Sequence, residues 1–310
     1  METGRLGLGG SQLGNLRRAI SDAEALAIVD AAWDAGIRHF DTAPHYGLGL
    51  SERRLGAALR ARPRAEYVLS TKVGRLLVPT AAPHGRDRAG FVVPATHRRV
   101  WDFSRDGVRR SLEESLERLG LDRIDIGYLH DPDRHLEWAL REGWPALAEL
   151  RSEGVVGAVG VGMNQWQAPA RFVRETEIDV VMLAGRHTLL EQHACLEFLG
   201  LCLERGVRVV AAGVYNSGLL AQPRPDRHAT YDYSPAPAEL LARAGRLAEV
   251  CERHGVLLPA AALRFPLRHP AVVSAVVGCD SPAQVTESVA RLRAPVPPAL
   301  WEELRAGQWL

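Results

Sequence analysis

Along this chain, short apolar runs alternate with longer stretches whose apolar residues recur at helical spacing. The apolar runs fall at 37–41, 67–72, 124–130, 155–162, 179–184, 207–213 and 271–278. Each is almost continuously apolar and most are rich in Val or Ile, the pattern of strands covered on both faces. The start of the chain, "RLGLGGSQLG", supplies an eighth strand. The stretches between them predict helices. Ser21 stands as an N-cap before a helix ending at Gly36, and Glu24 completes a capping-box pattern. Between 104 and 120, Val108, Leu112, Leu116 and Leu119 share one face and Gly120 closes the helix. The segment 37–59 begins strand-like and ends helix-like, and further helices are predicted over 136–153, 193–205, 238–254 and 282–292.

Eight strand–helix units in this length predict an α/β fold of one kind, a closed (β/α)8 TIM barrel. No low-complexity linker divides the chain, so residues 1–310 are expected to form a single barrel domain. A dinucleotide fold of the GxGxxG type is disfavoured, because "GLGG" at 7–10 is not followed by a prompt helix. Two connections, 73–103 and 221–237, are longer than a compact barrel needs. Both follow strand C-termini, so they are expected to be long loops on the face where barrel enzymes build their sites.

Charge and composition narrow the partners. A net charge of +1 gives no reason to expect nucleic acid or an acidic membrane surface, and no apolar run is long enough to span a bilayer. The N-terminal segment is too glycine-rich and polar for a signal peptide. Cys195, Cys202, Cys251 and Cys279 show no metal-ligand spacing, so buried reduced thiols, a cytoplasmic setting and no metal are expected. No heptad seam indicates an oligomeric state.

The strand ends carry the chemistry. Asp41 ends the second strand with Tyr46 five residues on, Lys72 ends the third, His130 the fourth, and Asn164 stands near the end of the fifth. Each has an ordinary reading as a rim aromatic, a solvated lysine, a capped core histidine or a turn former. Chance would scatter such residues over both ends of a barrel, whereas here they end successive strands on one side.

"FDTAPHYGLGLSERRLG", "LSTKVG", "YLHDPD" and "GVGMN", with "VVGCDSPAQV" near the end, resemble the aldo-keto reductase superfamily. The closest resemblance is to its sugar-oxidising branch, the D-threo-aldose 1-dehydrogenases or L-fucose dehydrogenases, and it covers nearly the whole chain. It implies a barrel that binds NAD or NADP without a Rossmann domain and a catalytic tetrad of Asp41, Tyr46, Lys72 and His130. In that tetrad Tyr46 exchanges the proton, Lys72 favours its phenolate, Asp41 holds Lys72, and His130 orients the substrate oxygen. The resemblance further implies that Asn164 bonds the carboxamide. The pyrophosphate falls to Ser217, Gly218 and Leu219, and the adenosine end to Gly278, Ser281, Gln284 and Ser288.

The segment departs from the better-known reductases at three places. Ala184 replaces a glutamine beside the carboxamide. Ala212 and Gly213 stand where a stacking tyrosine is usual, with Tyr215 displaced. Asp280 and Gln284 occupy the 2′-phosphate segment, so NAD is expected to serve at least as well as NADP. Trp101, Trp166, Arg186 and His187 are candidates to face a small-molecule substrate, a sugar or aldehyde. Alternatives are a reductase of an aldehyde or ketone, a pyridoxal 4-dehydrogenase, and a nucleotide-binding regulatory subunit.

Overall fold

The computed structural model describes residues 2–81, 85–232 and 234–310. Eight parallel strands close into a barrel: β1 (Leu6–Gly9), β2 (His39–Asp41), β3 (Val68–Val73), β6 (Ile124–His130), β7 (Val156–Met163), β8 (Val180–Ala184), β9 (Arg208–Ala212) and β12 (Val272–Gly278). The numbering leaves room for two hairpins outside the barrel, β4 (Arg75–Pro79) with β5 (His97–Trp101) and β10 (Thr230–Tyr231) with β11 (Ser234–Pro235). The barrel closes between β1 and β12, Leu6 opposite Ala275. All eight predicted strands are present, seven within two residues of the expected span, while the first stops at Gly9 because the chain turns into a short 3-10 helix at Gln12–Gly14.

The outer helices follow the periodicity. These are α1 (Asp22–Asp34), α2 (Leu50–Leu59), α3 (Arg105–Leu119), α4 (Leu136–Trp138), continued through a π-helical turn (Ala139–Gly143) into α5 (Trp144–Ser152), α6 (Gln167–Glu175), α7 (Leu196–Glu204), α8 (Ala238–Arg253), α9 (Leu258–Arg264), α10 (Pro282–Arg293) and α11 (Pro298–Ala306). At α1 both halves of the capping box form: Ser21 Oγ accepts from the Glu24 N–H at 3.1 Å, and Glu24 accepts from the Ser21 N–H at 2.7 Å. Three helices, α6, α9 and α11, lack a sequence expectation. They are short and begin at or near a proline, which leaves too few turns to display a 3.6-residue period.

The main core lies between the barrel wall and the helices, with Phe40, Phe103, Phe172 and Phe198 fully buried. Inside the barrel, Tyr128, Val180, Met182, Val210 and Val276 fill the lumen, so it is a packed plug and no pore. All four cysteines are free and buried. Burial pushes each thiol up, to about 12 for Cys195, Cys202 and Cys251 and about 11 for Cys279. Among the described residues no helix is long and apolar enough to cross a membrane.

Candidate active site

Strand register sets the site. Asp41 lies opposite Ser70 on β3, two residues before Lys72, and Lys72 lies opposite Tyr128, two residues before His130. Alternation along a strand sends residues two apart to the same side, so Ser70 and Lys72 both point into the lumen with Asp41. Lys72 Nζ donates to Asp41 Oδ2 at 2.7 Å and to the Thr42 carbonyl at 2.9 Å. Asp41 Oδ1 accepts from Ser70 Oγ at 2.7 Å. Beneath them Ser70 Oγ is 3.4 Å from His39 Nε2, and His39 Nδ1 is 3.3 Å from Ser274 Oγ, a polar chain descending into the barrel. Such a fully buried ion pair persists because its remaining lone pairs and protons are satisfied.

Tyr46 arrives from a loop. Gly14 and Gly47 stand back to back: a Cβ on Gly14 would come within 2.6 Å of the Tyr46 carbonyl carbon, and one on Gly47 within 2.3 Å of the Gly14 oxygen. Gly47 also has φ +62°, so both space and conformation select glycine there. The loop after β1 is thus the seat on which the tyrosine rests. Lys72 Nζ lies 4.7 Å from the Tyr46 ring centroid, and the His130 ring stands edge-on to Tyr46 at 6.1 Å. The four residues that the sequence scatters over 90 positions therefore meet at one mouth.

The charges there oppose one another. Burial would lower the Lys72 pKa, but the Asp41 charge and Tyr46 override it and hold the ammonium above its ordinary value. His130 is pushed well below its ordinary value, first by burial and then by the charges of Arg75 and Lys72. It is a neutral imidazole at pH 7, with one N–H to donate. His45, without a sequence role, is also neutral and packs edge-on to His130 at 5.7 Å.

The hairpin β4–β5, read from sequence only as a long loop, walls this side. Arg99 reaches from β5 to the His45 carbonyl at 2.8 Å and is held by Asp87 at 2.6 Å. Leu77, Phe91 and Val93 pack with Leu48 and Tyr46 as a small apolar cluster under the hairpin. Trp101 is at its end, 37% exposed, with the Arg75 guanidinium over its ring at 4.1 Å and Phe103 stacked at 5.9 Å.

The opposite side of the mouth is backbone. Asn216, Ser217 and Gly218 have φ of +46°, +59° and +102°, forming a left-handed turn after β9. Gly218 is exposed, with its N–H donating to the Tyr215 carbonyl at 3.0 Å, whereas Leu219 is buried with its N–H donating to the Asn216 carbonyl at 3.2 Å. Of the three residues expected at a pyrophosphate, Ser217 is half-buried and Gly218 exposed, and Leu219 is out of reach of solvent. Gly278 ends β12, and Ser281 caps α10 by accepting from the Gln284 N–H at 3.3 Å. Gln284 lies exposed in the first turn, Ser288 is buried one turn further on, and Asn164 is exposed after β7. This side of the mouth thus offers exposed glycines, consecutive left-handed residues and the N-terminus of a twelve-residue helix.

A strap crosses it. Thr230 Oγ1 donates to the Ser217 carbonyl at 2.9 Å, Tyr231 Oη donates to Glu191 at 2.6 Å, and Arg186 pairs with Asp232 at 2.7 Å. Arg186, a sequence candidate for substrate, pairs with Asp232 and Glu191 and donates to the Gly185 carbonyl, none of them in the tetrad. His187 does not face the mouth. It is buried against Phe265 at 5.2 Å, near His269 and Cys195, and burial lowers it to about 4. Tyr215 is turned inward, packed between the two large cores with Arg291 over its ring at 5.8 Å. Trp166 packs partly buried on the main core. A cation the segment 278–284 lacks comes from elsewhere: Arg18 donates to the Asp280 carbonyl at 2.7 Å. No local signal could have found it.

A parallel barrel with acid–base side chains at one side of its mouth and exposed backbone with a helix N-terminus at the other defines a class of barrel enzyme. The profile of the aldo/keto reductase family matches residues 5–306. The chain is 54% identical over 303 residues to a D-threo-aldose 1-dehydrogenase from a Pseudomonas species, covering 96% of this chain and 92% of that protein. It is 43% identical to the pyridoxal 4-dehydrogenase of Microbacterium luteolum, covering 97% and 93%. The solved holo form of an aldo-keto reductase from Bacillus halodurans shares 26% identity and superposes with a TM-score of 0.76, covering 97% and 91%. The chain belongs to the aldo/keto reductase family, and it is an NAD(P)-dependent oxidoreductase.

Proposed function

We propose that the protein oxidises the cyclic form of an aldose at C1, giving the lactone. The observation that carries the chemistry is the buried Asp41–Lys72 pair beneath the Tyr46 ring. The substrate class is supported by the 54% identity to a D-threo-aldose 1-dehydrogenase. When bound, the nicotinamide supplies the acceptor for the hydride that leaves C1. Tyr46, as phenolate, takes the proton of the C1 hydroxyl; Lys72 stabilises that phenolate, and Asp41 fixes Lys72. Neutral His130 donates to the substrate oxygen and orients it. In the reverse sense Tyr46 returns the proton to a developing alkoxide, so the same residues serve aldehyde or ketone reduction. Oxidation of pyridoxal is the variant favoured by the 43% relative, since its cyclic hemiacetal presents the same C–OH.

Ser217, Gly218 and the α10 N-terminus would hold the diphosphate, Asn164 the carboxamide, and Gly278, Ser281, Gln284 and Ser288 the adenosine end. A cation beside that end, Arg18, is shared between Asp280 and Glu24, which leaves little of its charge for a 2′-phosphate. NAD is therefore used at least as well as NADP. Trp101 stands at the rim to pack against the sugar. An aldose panel with each cofactor, followed by nicotinamide absorbance, tests the reading. Oxidation of L-fucose, D-arabinose or L-galactose is expected; brisk reduction of simple aldehydes with no sugar oxidation would overturn it.

A further inference from the structure

Arg75 has no part in the chemistry above, yet it is buried against it. Strand β3 ends at Val73, Gly74 turns the chain with φ +93°, and Arg75 opens the hairpin. Its Nη2 pairs with the carboxylate of Asp131, the residue directly after His130. Both side chains are largely removed from water, at 12% and 20% exposure. Asp131 has φ +40°, uncommon for a residue with a side chain, and its N–H donates to the Gly162 carbonyl at 3.0 Å. In that conformation its carboxylate lies 3.6 Å from His130 Nε2 while holding Arg75. Trp101 covers the guanidinium from the outside. A planar, permanently charged group has thus been fixed beside the tyrosine and histidine of the site by a partner, a roof and a strained turn.

We propose that Arg75 is a second cation of the site, a positioning residue that acts with Lys72 to favour the Tyr46 phenolate, and that Asp131 sets how much of that charge Tyr46 experiences. This rests on Tyr46 being the proton-exchanging group. Lys72 alone is a muted cation, because Asp41 neutralises it at 2.7 Å. The charged and titratable groups around Tyr46 are Lys72 and Asp41 on the strands, Arg75 and Asp131 at the hairpin base, Arg99 and Asp87 above, and His45 and His130 edge-on. The Arg75 charge interacts with Tyr46, as does that of Lys72, whose ammonium lies 4.7 Å from the ring centroid. After burial, Arg75 is also the leading charge that keeps both His130 and His45 neutral. A site built to remove a proton from an alcohol near pH 7 needs a phenolate and an uncharged histidine together, and one guanidinium promotes both.

The test compares the intact enzyme with Arg75→Gln, Arg75→Lys and Asp131→Asn. The ionisation of Tyr46 is read from phenolate ultraviolet absorbance, using Tyr46→Phe in each background to subtract the other tyrosines. The pH dependence of kcat/KM for aldose oxidation is recorded beside it. Arg75→Gln should raise the Tyr46 midpoint by about one pH unit and lower kcat/KM on the acid limb about tenfold. Arg75→Lys should restore most of the shift, and Asp131→Asn should move the midpoint down. An unchanged midpoint in Arg75→Gln, or a shift in the same direction in Asp131→Asn, overturns the proposal as mere packing. Should Arg75→Gln fail to fold, the direction of the Asp131→Asn shift decides alone. If the midpoints move as expected and no sugar is oxidised, Arg75 keeps its role and the aldose reading falls. If sugar is oxidised and the midpoints stay, the reverse holds.

Discussion

The two sides of the barrel mouth are built from different materials. On the side of β2, β3 and β6, side chains carry everything: three ion pairs, Lys72–Asp41, Arg75–Asp131 and Arg99–Asp87, surround one tyrosine and two neutral histidines. On the side of β9 and β12 the surface is main chain, with left-handed residues at 216–218, exposed glycines and a helix N-terminus. The first side is dense and buried, as proton transfer requires, because a displaced donor or an admitted water alters the acidity that catalysis depends on. The second is open and repetitive, suited to holding a long anionic cofactor through many weak, individually replaceable contacts. Loss of one group should be ruinous on the first side and mild on the second.

That contrast can be broken by experiment. Replacing Tyr46 with Phe should lower turnover roughly a thousandfold while leaving nucleotide affinity, measured by fluorescence titration, nearly intact. Retained turnover would remove Tyr46 from the chemistry. On the main-chain side, Gln284→Arg should raise kcat/KM with NADP about tenfold relative to NAD, the gain of one charge-assisted contact to a phosphate. An unchanged ratio would show that the 2′ end lies elsewhere.

The neutral histidines predict an acid sensitivity confined to the dense side. His45 has its folded pKa depressed from 6.5, so its contribution to stability is present above 6.5 and is lost as pH falls toward its folded value of about 2. Between pH 7 and 5 the enzyme should lose stability, and His45→Phe should lose about 2 kcal/mol less over that interval, as read by denaturant melts. Equal losses would show that His45 is not desolvated. The smallest effect belongs to the strap. Asp232→Ala removes the Arg186 pair, about half exposed at Asp232, and should speed dinucleotide release only about twofold to threefold in stopped-flow measurements.

The same division governs what the sequence could disclose. Eight strands and the helices α1, α3, α8 and α10 are legible because burial imposes a period on many residues at once. Asp41, Lys72 and His130 are legible as neighbours because they stand at the ends of adjacent strands, with Tyr46 on the loop just beyond one of them. The hairpin β4–β5 escaped because four of its ten strand residues, Arg75, His97, Arg98 and Arg99, are polar and its ladder faces a loop instead of the main core. Arg75 escaped for a related reason: an arginine after a strand looks solvated until Asp131 and Trp101 are seen to enclose it. Arg18 reaches Asp280 across 262 positions, a proximity created only by barrel closure. His187 misled in the opposite sense, because a histidine beyond a strand end reads as a mouth residue when the chain has in fact turned back into the core.

The contact between Gly14 and Gly47 has a consequence for biosynthesis. Tyr46 is seated on the loop that follows β1, and β1 is held between β2 and β12, the last of the barrel strands in sequence. Until β12 arrives, β1 is an open edge, and its loop is a poor support for the tyrosine. Lys72 and Asp41 can meet early, since their strands are neighbours in sequence. The Tyr46 hydroxyl gains its lasting position only when β1 and β12 pair, so a polypeptide lacking β12 should carry the Lys72–Asp41 pair but a poorly seated tyrosine.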